Sequence, residues 1–295
     1  MNFGDRLAEA VERKGSTVCV GLDPRIELLP PALVTGLRPG AAGRARAFER
    51  FCEQVIDAVV DEVVAVKPQV AFFEALGGYG ITALERVCAH ARAAGLLVVV
   101  DAKRGDVPST AEAYAQAWLV GRDGAPAVGD AVTVNAYMGF DSVEPFLAAC
   151  GDEAGVFLLA CTSNPGADDL QRRPLADGRE LWEVVASLIA EWGAAHVGAA
   201  GLSAVGAVVG ATRPEVVARA RELMPAQPLL LPGVGAQGGS VDGLAAAFAA
   251  HPAGGLVAPS RSVIYAWRER GGDWQQAVRA AAAGVRTAAR AAARV

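Results

Sequence analysis

In the stretch Gly95-Leu96-Leu97-Val98-Val99-Val100-Asp101-Ala102-Lys103-Arg104-Gly105-Asp106, five consecutive apolar residues are opened by a glycine and closed by a run of charge. An unbroken apolar run of that length reads as a strand buried on both faces, the kind found in parallel sheets. Alternation of side chains puts Asp101 and Lys103 on one side where the strand ends, with Asp106 on the turn that follows. A carboxylate and an ammonium at the mouth of a buried strand are costly unless they pair or do chemistry. The choice of lysine sharpens this. Of the 27 Lys and Arg residues only Lys14, Lys67 and Lys103 are lysine. Arginine keeps its proton near neutral pH, whereas an ammonium can release one. Lys67, like Lys103, stands at the end of an apolar run. A purely structural ion pair is the competing reading of Asp101 and Lys103, since such pairs also perturb charges.

The same pattern recurs along the chain. Apolar, strand-like runs fall at residues 17–22, 63–66, 96–100, 131–134, 155–160, 204–209, 228–231 and 254–258. Between and after them, helical spacing covers 45–60, 81–94, 109–119, 142–149, 181–196, 214–223, 241–250 and 274–293. Phe3, Leu7 and Val11 mark a short amphipathic helix at the start. Strict alternation with eight strands predicts an α/β chain folded as one (β/α)8 barrel spanning residues 1–295, a length such a barrel accommodates. A doubly wound open sheet is the alternative. Against it, Gly21-Leu22-Asp23-Pro24-Arg25 stands where a dinucleotide fold would carry G-x-G-x-x-G. Residues 164–179 read as a polar loop insertion after the fifth strand.

Composition narrows the partners. The chain is 53% hydrophobic and 20% charged, with a mean hydropathy of +0.29 spread along its length, and no run reaches the ~18 apolar residues of a membrane span. The first residues lack the basic-then-apolar order of a secretory signal. A net charge of −5 gives no support for nucleic-acid binding, although a local field can still hold a small anion. The five cysteines contain no CxxC pair and lie in apolar patterns, so buried free thiols in a reducing cytoplasm are expected. His90, His196 and His251 are scattered without metal-ligand spacing, and no protein-held metal is expected. The arginines of 274–293 read as the solvated face of a closing helix.

In a (β/α)8 barrel the active site forms at the C-terminal ends of the strands. Those ends carry Asp23; Lys67-Pro68-Gln69; Asp101-Ala102-Lys103; Asn135; Cys161-Thr162-Ser163-Asn164; Pro232-Gly233-Val234-Gly235-Ala236-Gln237; and Pro259-Ser260-Arg261-Ser262. A Gly-rich turn after strand seven, together with the start of the segment after strand eight, is a recurrent phosphate cradle, and Arg261 offers it a bidentate cation.

These residues bring the chain to a known pattern. Asp101-x-Lys103-x-x-Asp106-x-Pro108-x-Thr110 resembles the signature of the orotidine 5′-phosphate decarboxylases. Gly21-Leu22-Asp23-Pro24, Lys67-Pro68-Gln69, Thr162-Ser163-Asn164-Pro165 and Pro232-Gly233-Val234-Gly235-Ala236-Gln237 resemble that family's other blocks, in the same order. The length and the Ser260-Arg261 ending are similar to its longer bacterial subgroup, and Val107, where the family often has Ile, is a small departure. The resemblance implies orotidine 5′-monophosphate as substrate, UMP and carbon dioxide as products, and neither cofactor nor metal. It implies that Lys103 donates a proton to C6, that Asp101 lies against the departing carboxylate, and that Lys67, Asp101, Lys103 and Asp106 form an alternating charged network. It further implies a homodimer in which Asp106 and Thr110 reach the neighbouring protomer's site. Asp23 and Lys67 would bind the ribose and Ser163 the pyrimidine. Gln237 and Arg261 would hold the phosphate, with Pro232, Gly233, Gly235 and Ser260 shaping that end.

Two alternatives stay open at the level of sequence. A related barrel group shares Asp-x-Lys-x-x-Asp and acts on sugar phosphates with Mg²⁺, using added carboxylates at strand two, where this chain has Lys67 and Gln69. A non-catalytic phosphoribosyl-binding barrel would need the phosphate grip without the charged network.

Overall fold

Each apolar run becomes a short strand buried along nearly its whole length, so both faces must be covered. The computed structural model describes residues 1–294 apart from 123, 152, 236, 237 and 271, with the side chains at 242 and 270 also outside the description. The strands are β1 (Cys19–Leu22), β2 (Ala65–Pro68), β3 (Leu97–Arg104), β4 (Ala131–Val134), β5 (Gly155–Cys161), β6 (Val205–Val209), β7 (Leu229–Pro232) and β8 (Gly255–Ala258). They pair in parallel in sequence order. A bridge from Val18 to Val257 brings the last strand back to the first, with the Val257 N–H donating to the Thr17 carbonyl at 2.9 Å. Parallel neighbours need crossover connections. Helices supply most of them, including Ala41–Val59, Gly77–Ala93, Phe140–Cys150 and Pro214–Leu223, and Trp274–Ala293 follows the last strand. The expected (β/α)8 barrel is the observed one.

Alternation along the strands divides the core in two. Val20, Val66, Val98, Val100, Val132, Leu158 and Leu231 face outward into the layer under the helices. Cys19, Ala65, Val99, Ala131, Phe157, Val208, Leu230 and Leu256 face inward and fill the barrel. The Phe3–Lys14 helix closes the end opposite the strand C-termini. Its Phe3 ring meets Phe157 edge-on, with centroids 5.8 Å apart. A Cβ on Gly155 would come within 2.6 Å of the Phe3 ring, and one on Gly206 within 2.6 Å of Phe157, so these glycines make room for the two aromatics. Asn2 caps the helix by accepting from the Asp5 N–H at 2.9 Å. Arg6 ties it to the sheet through Asp130 at 2.6 Å, whose other oxygen accepts from the Val98 N–H.

Two expected helices differ. The segment expected at 241–250 is a 3₁₀ run, Val241–Phe248. Gly243 there sits so close to Pro214 that a Cβ would come within 2.6 Å of the ring, and an apolar pattern this short does not distinguish three residues per turn from 3.6. The segment expected at 109–119 is α-helical over Pro108–Ala115 and then widens to a π turn over Gln116–Val120. All five cysteines are buried and unpaired, as expected.

Candidate active site

β3 runs on past Val100, through Asp101 and Lys103 to Arg104. It does so with a bulge: Val100 pairs with Val132 and the next pair is Arg104 with Val134, so β3 uses four residues where β4 uses two. Within that bulge Lys103 has φ +48°, the left-handed region. For a residue with a Cβ this costs roughly 1–2 kcal/mol, which the surroundings must over-determine. Arg104 anchors the outer side of the bulge, pairing with Glu74 and lying over the rings of Tyr114 and Trp118.

The result is a chain of charges. Lys67 Nζ donates to Asp101 Oδ2 at 2.5 Å and Lys103 Nζ to Asp101 Oδ1 at 2.6 Å. Gln69 Nε2 adds a donor to Oδ2 at 3.1 Å and Thr133 Oγ1 one to Oδ1 at 2.9 Å. The side chains of Lys67 and Asp101 are 9% and 6% exposed, while that of Lys103 is 44% exposed, so Lys103 is the cation that opens onto space. Burial works to raise the Asp101 carboxyl, but the Lys67 and Lys103 ammoniums overcome it and hold the group well below the usual carboxylate range. Burial likewise works to lower Lys67, and the Asp101 and Asp23 carboxylates overcome it and hold Lys67 well above the usual lysine value. Asp101 is therefore an anion and Lys67 a cation throughout the neutral range.

These groups form one wall of a cavity of ≈ 470 Å³ at the C-terminal ends of the strands. Asp23, Ser163, Pro232, Gly233, Ser260 and Arg261, all expected at the site, line it as well, over an apolar floor of Leu159, Val208 and Leu230. Ser260 Oγ donates to Asp23 Oδ2 at 2.6 Å, while Asp23 Oδ1 is buried without a partner among the described residues. After β7, the Gly235 N–H donates to the Gly239 carbonyl and the Gly239 N–H to the Gly233 carbonyl. Gly235 has φ +79°, and a Cβ there would lie 2.8 Å from Ser262 Oγ, so this turn requires glycine. Gln237 lies outside the described residues.

Asp106 and Thr110 do not line the cavity. Among the described residues of one chain the expected network runs through Lys67, Asp101 and Lys103, and Asp106 Oδ1 accepts from the Val107 N–H of its own turn. Conversely, Thr133 and Gln171 line the cavity without having been singled out, and Gln69, Thr162 and Asn164 were named only within their blocks. Gln171 belongs to the 164–179 insertion. Its amide oxygen accepts from the Thr162 N–H at 2.7 Å, which folds the insertion back over the cavity.

The family model described as "Orotidine 5'-phosphate decarboxylase / HUMPS family" matches residues 16–266. The chain is 45% identical to an orotidine 5′-phosphate decarboxylase of Rhodopirellula baltica over 294 residues, covering 95% of this chain and 96% of that one. It is 44% identical to one of Verminephrobacter eiseniae, covering 100% of both. The solved structure of Leishmania donovani OMP decarboxylase is similar, with a TM-score of 0.77 and 34% identity, covering 100% of each chain.

Proposed function

The chain belongs to the orotidine 5′-phosphate decarboxylase / HUMPS family, and from that premise we propose how its residues carry out the reaction. It is an orotidine 5′-phosphate decarboxylase, a carboxy-lyase that forms UMP and carbon dioxide in pyrimidine biosynthesis. The observation that carries the mechanism is the buried Lys67–Asp101–Lys103 chain with its one open ammonium. Breaking the bond from C6 to the carboxylate leaves its electron pair on C6. The Lys103 ammonium stabilises that carbanion and transfers a proton from Nζ to C6, and the resulting amine regains a proton from solvent. Asp101, held anionic, faces the substrate carboxylate, and their repulsion is relieved as carbon dioxide departs. Lys67 neutralises the far side of Asp101. No step calls on a metal or cofactor.

Asp23 and Lys67 bind the ribose. Support comes from Asp23 Oδ1, a buried acceptor with no partner among the described residues. Ser163 bonds the pyrimidine. Arg261 and Gln237 hold the phosphate, with Pro232, Gly233, Gly235 and Ser260 shaping that end, and this remote grip supplies binding energy realised at C6.

The working unit is a homodimer in which Asp106 and Thr110 of one protomer complete the other's site. In its favour, Val107, next to Asp106, and Tyr137, Met138 and Phe140, on the turn after β4 and the start of the Phe140–Cys150 helix, are apolar side chains each at least 44% exposed, and such surface calls for cover. No helix among the described residues is long and apolar enough to cross a membrane, and we place the enzyme in the cytoplasm.

Orotidine 5′-monophosphate mixed with the protein in excess EDTA should lose its ultraviolet band as UMP forms. A folded protein that binds UMP but leaves that band unchanged would overturn the assignment. Lys103→Ala should lower kcat by roughly 100- to 10,000-fold, the range for a general acid, while affinity for UMP stays within a few-fold.

A further inference from the structure

β4 reads Ala131-Val132-Thr133-Val134, with one polar side chain in an apolar run. Alternation turns Thr133 inward with Ala131, and it is 1% exposed. A hydroxyl so deeply buried must find both a donor and an acceptor. Thr133 finds them on the two neighbouring members of the charged chain. The Lys103 backbone N–H, displaced from the regular ladder by the β3 bulge, donates to Thr133 Oγ1 at 2.9 Å. The same oxygen donates its own proton to Asp101 Oδ1 at 2.9 Å. A hydroxyl is the smallest group that can do both at once, and it adds no charge to the site.

We infer that Thr133 is a positioning residue for the decarboxylation: its hydroxyl pins the left-handed backbone of Lys103 to the carboxylate of Asp101 and so fixes where the Lys103 ammonium stands. The geometry makes the role specific. Lys103 holds a backbone conformation that a residue with a Cβ adopts only under constraint, and its side chain is a flexible four-carbon stem, 44% exposed. Salt bridging to Asp101 restrains only the tip of that stem. Thr133 restrains its root, and it orients the oxygen that the tip binds. Valine fills the same space but supplies neither half of the link. With valine, the Lys103 N–H is left without its partner, Asp101 loses one of its four donors, and the ammonium no longer meets C6 in one fixed arrangement.

This inference rests on the reading in which Lys103 protonates C6, and its test separates the two. Thr133→Ser keeps the hydroxyl and drops the methyl; Thr133→Val does the reverse. Thr133→Val should lose roughly 10- to 100-fold in kcat, the worth of a hydrogen bond to a charged group, with KM nearly unchanged. Thr133→Ser should stay within a few-fold of the unmodified enzyme on both counts. If Thr133→Val does not fold, Thr133→Ala replaces it and should show the same losses against Thr133→Ser. Equal kcat in the Val and Ser enzymes, or a Ser enzyme as impaired as the Val one, would overturn the inference. Hydrogen exchange at the Lys103 amide gives a substrate-free readout: slow in the unmodified and Ser proteins, fast in Val or Ala. Failure of the unmodified enzyme to decarboxylate, with the Lys103 amide still protected through Thr133, would sink the functional reading and leave the positioning geometry standing.

Discussion

Asp101 accepts from Lys67, Gln69, Lys103 and Thr133, one donor for each lone-pair direction of its carboxylate. Removing one charge from such a buried pair strands the other. Asp101→Asn should destabilise the protein by about 3–5 kcal/mol in urea unfolding, because Lys67 stays buried without its counter-ion. The double variant Lys67→Met/Asp101→Leu should regain part of that loss, while inactive, since an apolar pair avoids the desolvation that the ion pair only partly recovers, although the Thr133 hydroxyl then lacks its acceptor. Linkage adds a pH signature. Asp101 is held low, so its contribution is fully present above about pH 4–5 and is lost as acid titrates the unfolded and then the native carboxyl. Lys67 is held high, so its contribution is present below about pH 10 and is lost as pH rises toward its native value. Unfolding free energy should fall at both edges for the unmodified protein and flatten in the double variant; parallel curves would refute the coupling. Lys67, Asp101 and Lys103 were legible in the sequence because charge at the end of an apolar run is conspicuous. Thr133 was not, because a single threonine in a strand is ordinary until the bulge opposite it is seen. Gln171 was not, because a loop with no periodicity does not reveal which side chain it folds inward.

At the scale of elements, the alternating runs made the barrel readable, since period-two burial and parallel pairing follow directly from apolar strands bounded by glycine and charge. The bulge in β3 was invisible, because an insertion in register depends on the partner strand. The 3₁₀ segment Val241–Phe248 escaped for a similar reason, its geometry being set by the approach of Gly243 to Pro214. The Phe3–Lys14 helix was legible as amphipathic, but what it covers was not. Its Phe3 is 1% exposed against Phe157, at the far end of the barrel from Lys103. Phe3→Ala should therefore destabilise by about 3–5 kcal/mol, the cost of a large buried cavity, and leave kcat at ambient temperature unchanged. A drop in kcat with full thermal stability would show that the two ends of the barrel are coupled.

For the whole molecule, the notable incompleteness is that one chain carries Asp106 and Thr110 outside its own cavity, next to exposed apolar loops. If each protomer completes the other, two inactive variants should rescue one another. Mixing Lys103→Ala with Asp106→Ala under subunit exchange should recover up to about a quarter of the activity, because half of the dimers are mixed and each holds one intact site. No recovery, with exchange verified by labelled subunits, would place Asp106 in a role within its own chain.

The side chains that fill the barrel have one more effect. Among the described residues they close the cavity from below and leave it open at the rim of the strand C-termini. Substrate, carbon dioxide and UMP all pass the same rim, where Arg261 and the glycine turn stand. Any change that tightens capture there also slows departure, so at this rim affinity and turnover are set against each other by the shape of the vessel.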